Sequence, residues 1–231
     1  MNKDEFIKEC KNNNIDLTEK QINQFQKYKD LLIEWNEKFN LTTIIEEKEI
    51  YLKHFYDSIL LTKYYDLNDK SICDIGTGAG FPGMVLAILF EKSNFTLLES
   101  NQKKVTFLNE VKNMLGLDNV TIINVRAEDY GKKNRELFDI VTCRAVSNLK
   151  IILELSVSLL KVNGLFIPMK SNVDEELNDA TKQINNLGYK LINKYEYLLP
   201  IENSKRTILL FEKIKKTDLK YPRNYNIIKK Q

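Results

Sequence analysis

Apolar positions in the first seventy residues recur at steps of three and four, the period of a helix face. Ile22, Phe25, Tyr28, Leu32 and Trp35 form one such stripe. Ahead of it, Thr18 and Gln21 make a T-x-x-Q capping box that starts a long helix. The polar run NEKFNLTT (36–43) breaks the stripe, and a further helix over about 46–65 carries Ile50, Phe55, Ile59 and Leu60 inward. Both stripes are core surfaces rather than cofactor boxes. From Ser71 the period changes. Short apolar runs alternate with helical stretches: SICDI then 81–91, FTLLE then 102–115, VTIINV, FDIVTC then 149–160, GLFIPM then 174–187. That alternation predicts βαβ units and a parallel sheet with helices on both faces. At the end, YKLINKYEYLL and RTILLFEK are joined only by PIENSK, so these two strands must pair antiparallel.

Composition narrows the class. With 231 residues, 43% hydrophobic and 29% charged, the chain is an ordinary globular mix. No apolar run is long enough for a membrane span, and the N-terminus MNKDEFIKECKNNN lacks a signal segment, so a cytoplasmic protein is expected. Cys10, Cys73 and Cys143 form no CxxC pair, which supports neither a disulfide framework nor a zinc ribbon. The single histidine, His54, argues against His-rich metal sites and a Ser-His-Asp hydrolase; no metal is expected. Charge is uneven. The net is −3 over 1–70, +2 over 71–170 and +4 over 171–231. Within 213–230, seven basic residues face one acidic one, Asp218. Such a tail suits a polyanion, or is a solvated, frayed terminus. The expected organisation is a helical extension over 1–68, an α/β core over 69–214 and a basic tail over 215–231.

The sharpest chemistry is Asp74-Ile-Gly76-Thr-Gly78-Ala-Gly80-Phe-Pro82-Gly83, directly after the first strand. Glycines there let the chain turn and present backbone N–H groups to a ligand, and Pro82 suits the first turn of the next helix. Gly78-x-Gly80-x-x-Gly83 also fits a dinucleotide fingerprint, a weak signal by itself. Asp74 separates the two: a diphosphate would be repelled by its carboxylate, whereas the α-amino group and sulfonium of S-adenosylmethionine would not. Glu99 ends the second strand, 23 residues after Gly76, where a carboxylate can accept from both ribose hydroxyls of an adenosine ligand.

A doubly wound sheet closed by an antiparallel hairpin resembles the Rossmann-like class I methyltransferases. In that fold the end of the third strand borders adenine, which makes Ala127 and Glu128 candidate contacts. Arg144 lies at the carboxyl edge of the fourth strand, where open sheets bind ligands. That strand lacks the N/D/S-P-P-aromatic motif of amino-group methyltransferases, and Cys143 reads as a small core residue rather than a thiolate nucleophile. A nucleophile that already bears a lone pair, such as guanine N7, needs neither device.

WNEKFNLTTI (35–44), HFYDS (54–58), DIGTGAGFPG (74–83), LLESNQKKVTFL (97–108), RAED (126–129) and RAVSNL (144–149) together resemble the ribosomal RNA small subunit methyltransferase G family, also called glucose-inhibited division protein B. LP at 199–200 and KYPR at 220–223 extend the likeness. The resemblance implies methyl transfer from S-adenosylmethionine, leaving S-adenosylhomocysteine, to N7 of a guanine in 16S rRNA near the decoding region. It implies cofactor contacts at Gly76, Phe81, Ala127, Glu128 and Arg144, with Glu99, Ser100 and Asn101 beside the ribose, and roles in activity or RNA handling for Arg126 and Arg144. Asp74, Gly78 and Gly80 join the cofactor set from the loop chemistry. After Arg223 the chain continues NYNIIKKQ, where the family usually has a Gly-Thr-Pro segment, so a lid or clamp function of the tail is not implied.

Lys103 and Lys104, opening a helix, suit either rRNA phosphate or a solvated face; Arg223 is a further RNA-binding candidate. His54 and Asp57 share a helix face and form either a lip of the substrate pocket or, the plainer reading, a surface hydrogen bond fixing the N-terminal helices. The competing functions are a methyltransferase for another RNA or a small metabolite, and a nicotinamide-dependent oxidoreductase. A monomer is expected.

Overall fold

Residues 1–230 are described by a computed structural model; the last residue of the expected tail, Gln231, lies outside them. Seven strands, β1 (Ser71–Ile75), β2 (Asn94–Glu99), β3 (Val120–Asn124), β4 (Phe138–Arg144), β5 (Leu160–Lys170), β6 (Tyr189–Leu199) and β7 (Ser204–Lys213), make one sheet in the order β3-β2-β1-β4-β5-β7-β6. The first five are parallel; β7 runs antiparallel to both β5 and β6, as the short link requires. Alternation along each strand feeds two cores. Ile72, Leu97, Ile140, Ile167 and Ile208 face one layer, and Cys73, Leu98, Val141, Phe166 and Leu209 face the other. Strands buried on both faces read as continuous apolar runs, the pattern seen in the sequence.

The first layer holds α1 (Lys3–Asn12), α2 (Glu19–Phe39), an irregular helical segment over 47–63, α5 (Gly83–Leu89) and α6 (Gln102–Leu115). Thr18 and Gln21 form the expected capping box of α2, and Phe25, Tyr28 and Leu32 are buried. The helix runs through the expected break to Phe39. There Asn40 turns left-handed and the buried Asn36 accepts the Thr42 N–H at 2.8 Å, folding the next loop back onto the helix.

The expected second helix is not uniform. It comprises α3 (Glu47–Glu49), a π-helical stretch Ile50–Tyr56, α4 (Asp57–Ile59) and a 3₁₀ turn Leu60–Lys63. Pro82 lies just ahead of α5 rather than inside its first turn.

The other layer holds α7 (Ala127–Lys133), α8 (Leu149–Val157) and α9 (Asp174–Leu187), with the tail and its α10 (Tyr225–Ile228). The tail is neither frayed nor free: Ile228 is buried in the second core, and Arg135 donates to the carbonyls of Thr217, Asp218 and Tyr221. Among the described residues no helix is long and apolar enough to cross a membrane.

Candidate active site

The carboxyl ends of β1, β2 and β4 place the candidate side chains. After β1 the chain turns through Gly76, Gly78 and Gly80, all with positive φ. At Gly80 a side chain is excluded twice, by φ of +103° and because a Cβ would lie 2.2 Å from the Tyr28 hydroxyl. That hydroxyl donates to the Ala79 carbonyl, so α2 buttresses the loop from below. Asp74 is fully buried rather than at the open face of the loop. Its Oδ2 accepts from Thr77 Oγ1 (2.6 Å) and Gly83 N (2.8 Å), which joins both ends of the turn. Burial pushes its carboxyl up to about 7, against the lowering effect of these hydrogen bonds and of Arg144. Oδ1 is buried too and, among the described residues, has no hydrogen-bond partner, so it is an acceptor that an ammonium would satisfy.

Glu99 closes the other side. Its Oε2 accepts from Gly78 N (3.0 Å) and Oε1 from Asn101 N (2.7 Å). Each oxygen retains a second lone pair for a ribose hydroxyl. Asn101 caps α6 through the Lys103 and Lys104 N–H groups, and Ser100 is exposed beside it. Arg126 precedes α7. Its Nε lies 3.2 Å from Glu128 Oε1 and its guanidinium 4.7 Å over the Tyr225 ring, so the tail reaches the edge expected to border adenine. Ala127 and Glu128 are both nearly buried there.

Arg144 is the hub of a second cluster. Nη1 donates to the Lys53 carbonyl (2.6 Å) and to Asp57 Oδ2 (3.2 Å), and Nη2 meets His54 Nδ1 at 3.1 Å. Asp57 also accepts from Tyr197 Oη (3.0 Å) and Arg206 Nε (3.3 Å). The His54 ring stacks 4.1 Å from Phe81, which also packs against Tyr28 and Phe55. The plainer reading of His54 and Asp57 is corrected in one respect: they are buried rather than on the surface, while their contacts with Arg144 do fix the N-terminal helices against the sheet. Both are buried and line a cavity of about 650 Å³ with Lys53, Arg144, Lys170 and Arg206. Phe81, 6% exposed, is a buried platform between α2 and His54.

Two expectations fall elsewhere. Lys103 sits 5.8 Å over the Phe39 ring on the exposed start of α6, with Lys104 beside it. Arg223 is turned to the other layer, where its backbone N (2.9 Å) and Nε (2.8 Å) both donate to Oε1 of the buried Glu154. Cys143 is buried and its thiol is raised well above the usual range by burial, which suits core and not a nucleophile. Sequence reading missed Tyr197, Arg206, Lys170 and Glu176. Tyr197 and Arg206 are cross-strand partners in the final hairpin, a pairing visible only once the register is known.

The profile of the family described as rRNA small subunit methyltransferase G (GidB) matches residues 21–199. Curated relatives named Ribosomal RNA small subunit methyltransferase G are 45% identical in Lysinibacillus sphaericus and 46% in Bacillus subtilis, each over 96% of this chain and 95% of the relative. One from Fusobacterium nucleatum is 45% identical over 97% of both chains. Among solved structures, a SAM dependent methyltransferase from Aquifex aeolicus superposes with a TM-score of 0.58 at 15% identity, over 76% of this chain and 97% of its own. M. jannaschii TYW2 in complex with AdoMet gives 0.55 at 19% identity, over 68% and 77%. At such identities the likeness is one of fold, and it establishes the class I methyltransferase architecture.

Proposed function

This chain belongs to the rRNA small subunit methyltransferase G family, and from that premise we propose that it is a cytoplasmic enzyme that methylates N7 of one guanine in 16S rRNA, with S-adenosylmethionine as donor. The observation that carries the reading is the cavity beyond β4. Four cationic side chains, Lys53, Arg144, Lys170 and Arg206, line it with the carboxylates Asp57 and Glu176, and each cation is held by a carboxylate. A concave wall of fixed donors and acceptors suits the polar edges of a nucleobase, which favours RNA over an apolar metabolite.

The loop chemistry fits the cofactor. Asp74 Oδ1 would hold the α-ammonium, Glu99 the ribose hydroxyls, and Ala127 with Glu128 the adenine edge. Ser100 and Asn101 would flank the ribose. Held there, S-adenosylmethionine would supply an electrophilic methyl for in-line displacement by the N7 lone pair, with the thioether as leaving group. The protein needs no general base, because N7 carries no proton. His54 is consistent with that: its nitrogens are engaged by Arg144 and Thr42. Arg144 positions instead, fixed by α4 and the π turn so that the end of β4 holds the base in line. Such orientation contributes up to roughly 7–11 kcal/mol in well-aligned systems. Arg126, and Lys103 and Lys104 on the same edge of the sheet, would meet RNA phosphate; Arg223, already paired with Glu154, would act through the placement of the tail.

Incubating the protein with labelled S-adenosylmethionine and small-subunit particles that lack the modification tests the proposal. Label in the small-subunit rRNA supports it. No label in that rRNA, with the cofactor demonstrably bound, overturns it.

A further inference from the structure

We propose that Glu176 selects guanine, its Oε1 accepting a hydrogen bond from the exocyclic amine of the target base. The proposal rests on the guanine-N7 reading of the same cavity. Glu176 lies in the first turn of α9 and lines the cavity with Arg144, Lys170 and Ser171. Only one of its oxygens is occupied: Oε2 accepts from Leu149 N at 2.7 Å and lies 2.7 Å from Lys170 Nζ. Those two contacts tie α9 to the start of α8 and fix the plane of the carboxylate. Among the described residues Oε1 has no partner, although the side chain is only 28% exposed.

The other carboxylate of the cavity cannot take this part. Asp57 is already shared by Arg144, Arg206 and Tyr197. Nor do the neighbouring cations turn to Glu176 Oε1. Lys53 pairs with Glu49 and Glu202, and Arg206 with Asp57. A spare, pre-oriented acceptor in a half-buried pocket calls for a donor. Guanine presents two donors, N1–H and the 2-amino group, on the edge opposite N7. Adenine presents an acceptor and a C–H there, which a carboxylate rejects. An acceptor gripping that edge leaves N7 turned toward the methyl donor.

The test uses small-subunit rRNA joined from two pieces, so that the mapped target position holds either guanosine or inosine. Inosine keeps N7 and lacks only the amine. In single-turnover transfer, the wild-type protein is expected to favour guanosine by at least about tenfold, because the missing donor leaves the acceptor unpaired. In Glu176→Gln the amide oxygen keeps the bonds to Leu149 N and Lys170, and its NH₂ replaces Oε1. Transfer to guanosine should slow and the guanosine-to-inosine ratio should fall to about one, with binding of S-adenosylhomocysteine unchanged. Glu176→Asp, which withdraws the acceptor by one methylene, should give an intermediate ratio and serves if E176Q melts early. A wild-type ratio near one, or variants that keep the full ratio while merely melting lower, would overturn the assignment and leave Glu176 a helix tie. Transfer by the wild-type protein to neither RNA would instead overturn the guanine-N7 reading.

Discussion

Burial, with the charges of Arg144 and Lys53, pushes the His54 imidazole down from 6.5 to about 3. The tautomer follows from its partners. Arg144 can only donate, so Nδ1 accepts, and Nε2–H donates to Thr42 Oγ1 at 3.1 Å. In the unfolded chain this ring takes a proton near its ordinary value; in the native protein it does not until about 3. Between those two values the unfolded state binds more protons, so stability is full above the upper one and falls as pH drops toward the lower. Because His54 is the one histidine, its Cε1–H resonance can be followed without assignment. It should stay flat from about pH 8 to about pH 5, where an ordinary imidazole titrates. A midpoint near 6.5 would contradict the packing described. Arg144→Ala should lower turnover at least about a hundredfold, the cost of a mispositioned reactant. Its melting point should move little, because Asp57 keeps Tyr197 and Arg206 as partners. Wild-type turnover in that variant would remove Arg144 from the site. Both residues were legible as chemistry at the sequence level. Their mutual contact was not, since it joins positions 90 residues apart.

At the scale of elements, periodicity located α6 and α9 to the residue because capping and C-terminal glycine signals agree with the apolar stripe: Asn101 and Gly116 bracket one, Gly188 ends the other. It could not reveal the π-helical stretch at 50–56, because an apolar stripe at three- and four-residue steps reads the same through one widened turn. Yet that stretch and the residue after it bring the Lys53 carbonyl, His54 and Asp57 to one guanidinium. The N-terminal helices thus build one wall of the candidate site. The tie from α2 to the glycine loop makes the same point. Tyr28→Phe removes the donor to the Ala79 carbonyl and should cost about 1 kcal/mol of stability. Calorimetry with S-adenosylhomocysteine should show binding weakened by roughly fivefold, the equivalent of that energy. Unchanged affinity would mean that the loop holds its shape without α2.

Across the whole molecule, two cores grip one sheet, and the tail crosses the second layer to bring Tyr225 against Arg126. Counting charge suggested a polyanion-binding tail; it could not see how the cations are used. Lys213 is buried against Glu136, Lys220 pairs with Asp218, and Arg223 neutralises Glu154 inside the fold. Only the exposed Lys215, Lys216, Lys229 and Lys230 keep the reading open. Arg223→Ala withdraws the guanidinium from a buried carboxylate and should cost about 2–3 kcal/mol in urea denaturation, most of it regained when Glu154→Leu is added. No loss in the single variant would return Arg223 to the RNA-facing candidates. Alternation made the fold legible and the ordered motifs the family; the register of the last hairpin, which sets Tyr197 and Arg206 over the cavity, required the structure. The activity proposed for the whole molecule is guanine-N7 methylation of small-subunit RNA. It is tested most directly by reduction and aniline cleavage of RNA methylated by this protein, chemistry that cuts the strand at 7-methylguanosine. One strong cleavage at a single guanine of the 16S rRNA is expected. Methyl incorporated without any such cleavage would place the methyl on another atom and contradict the account.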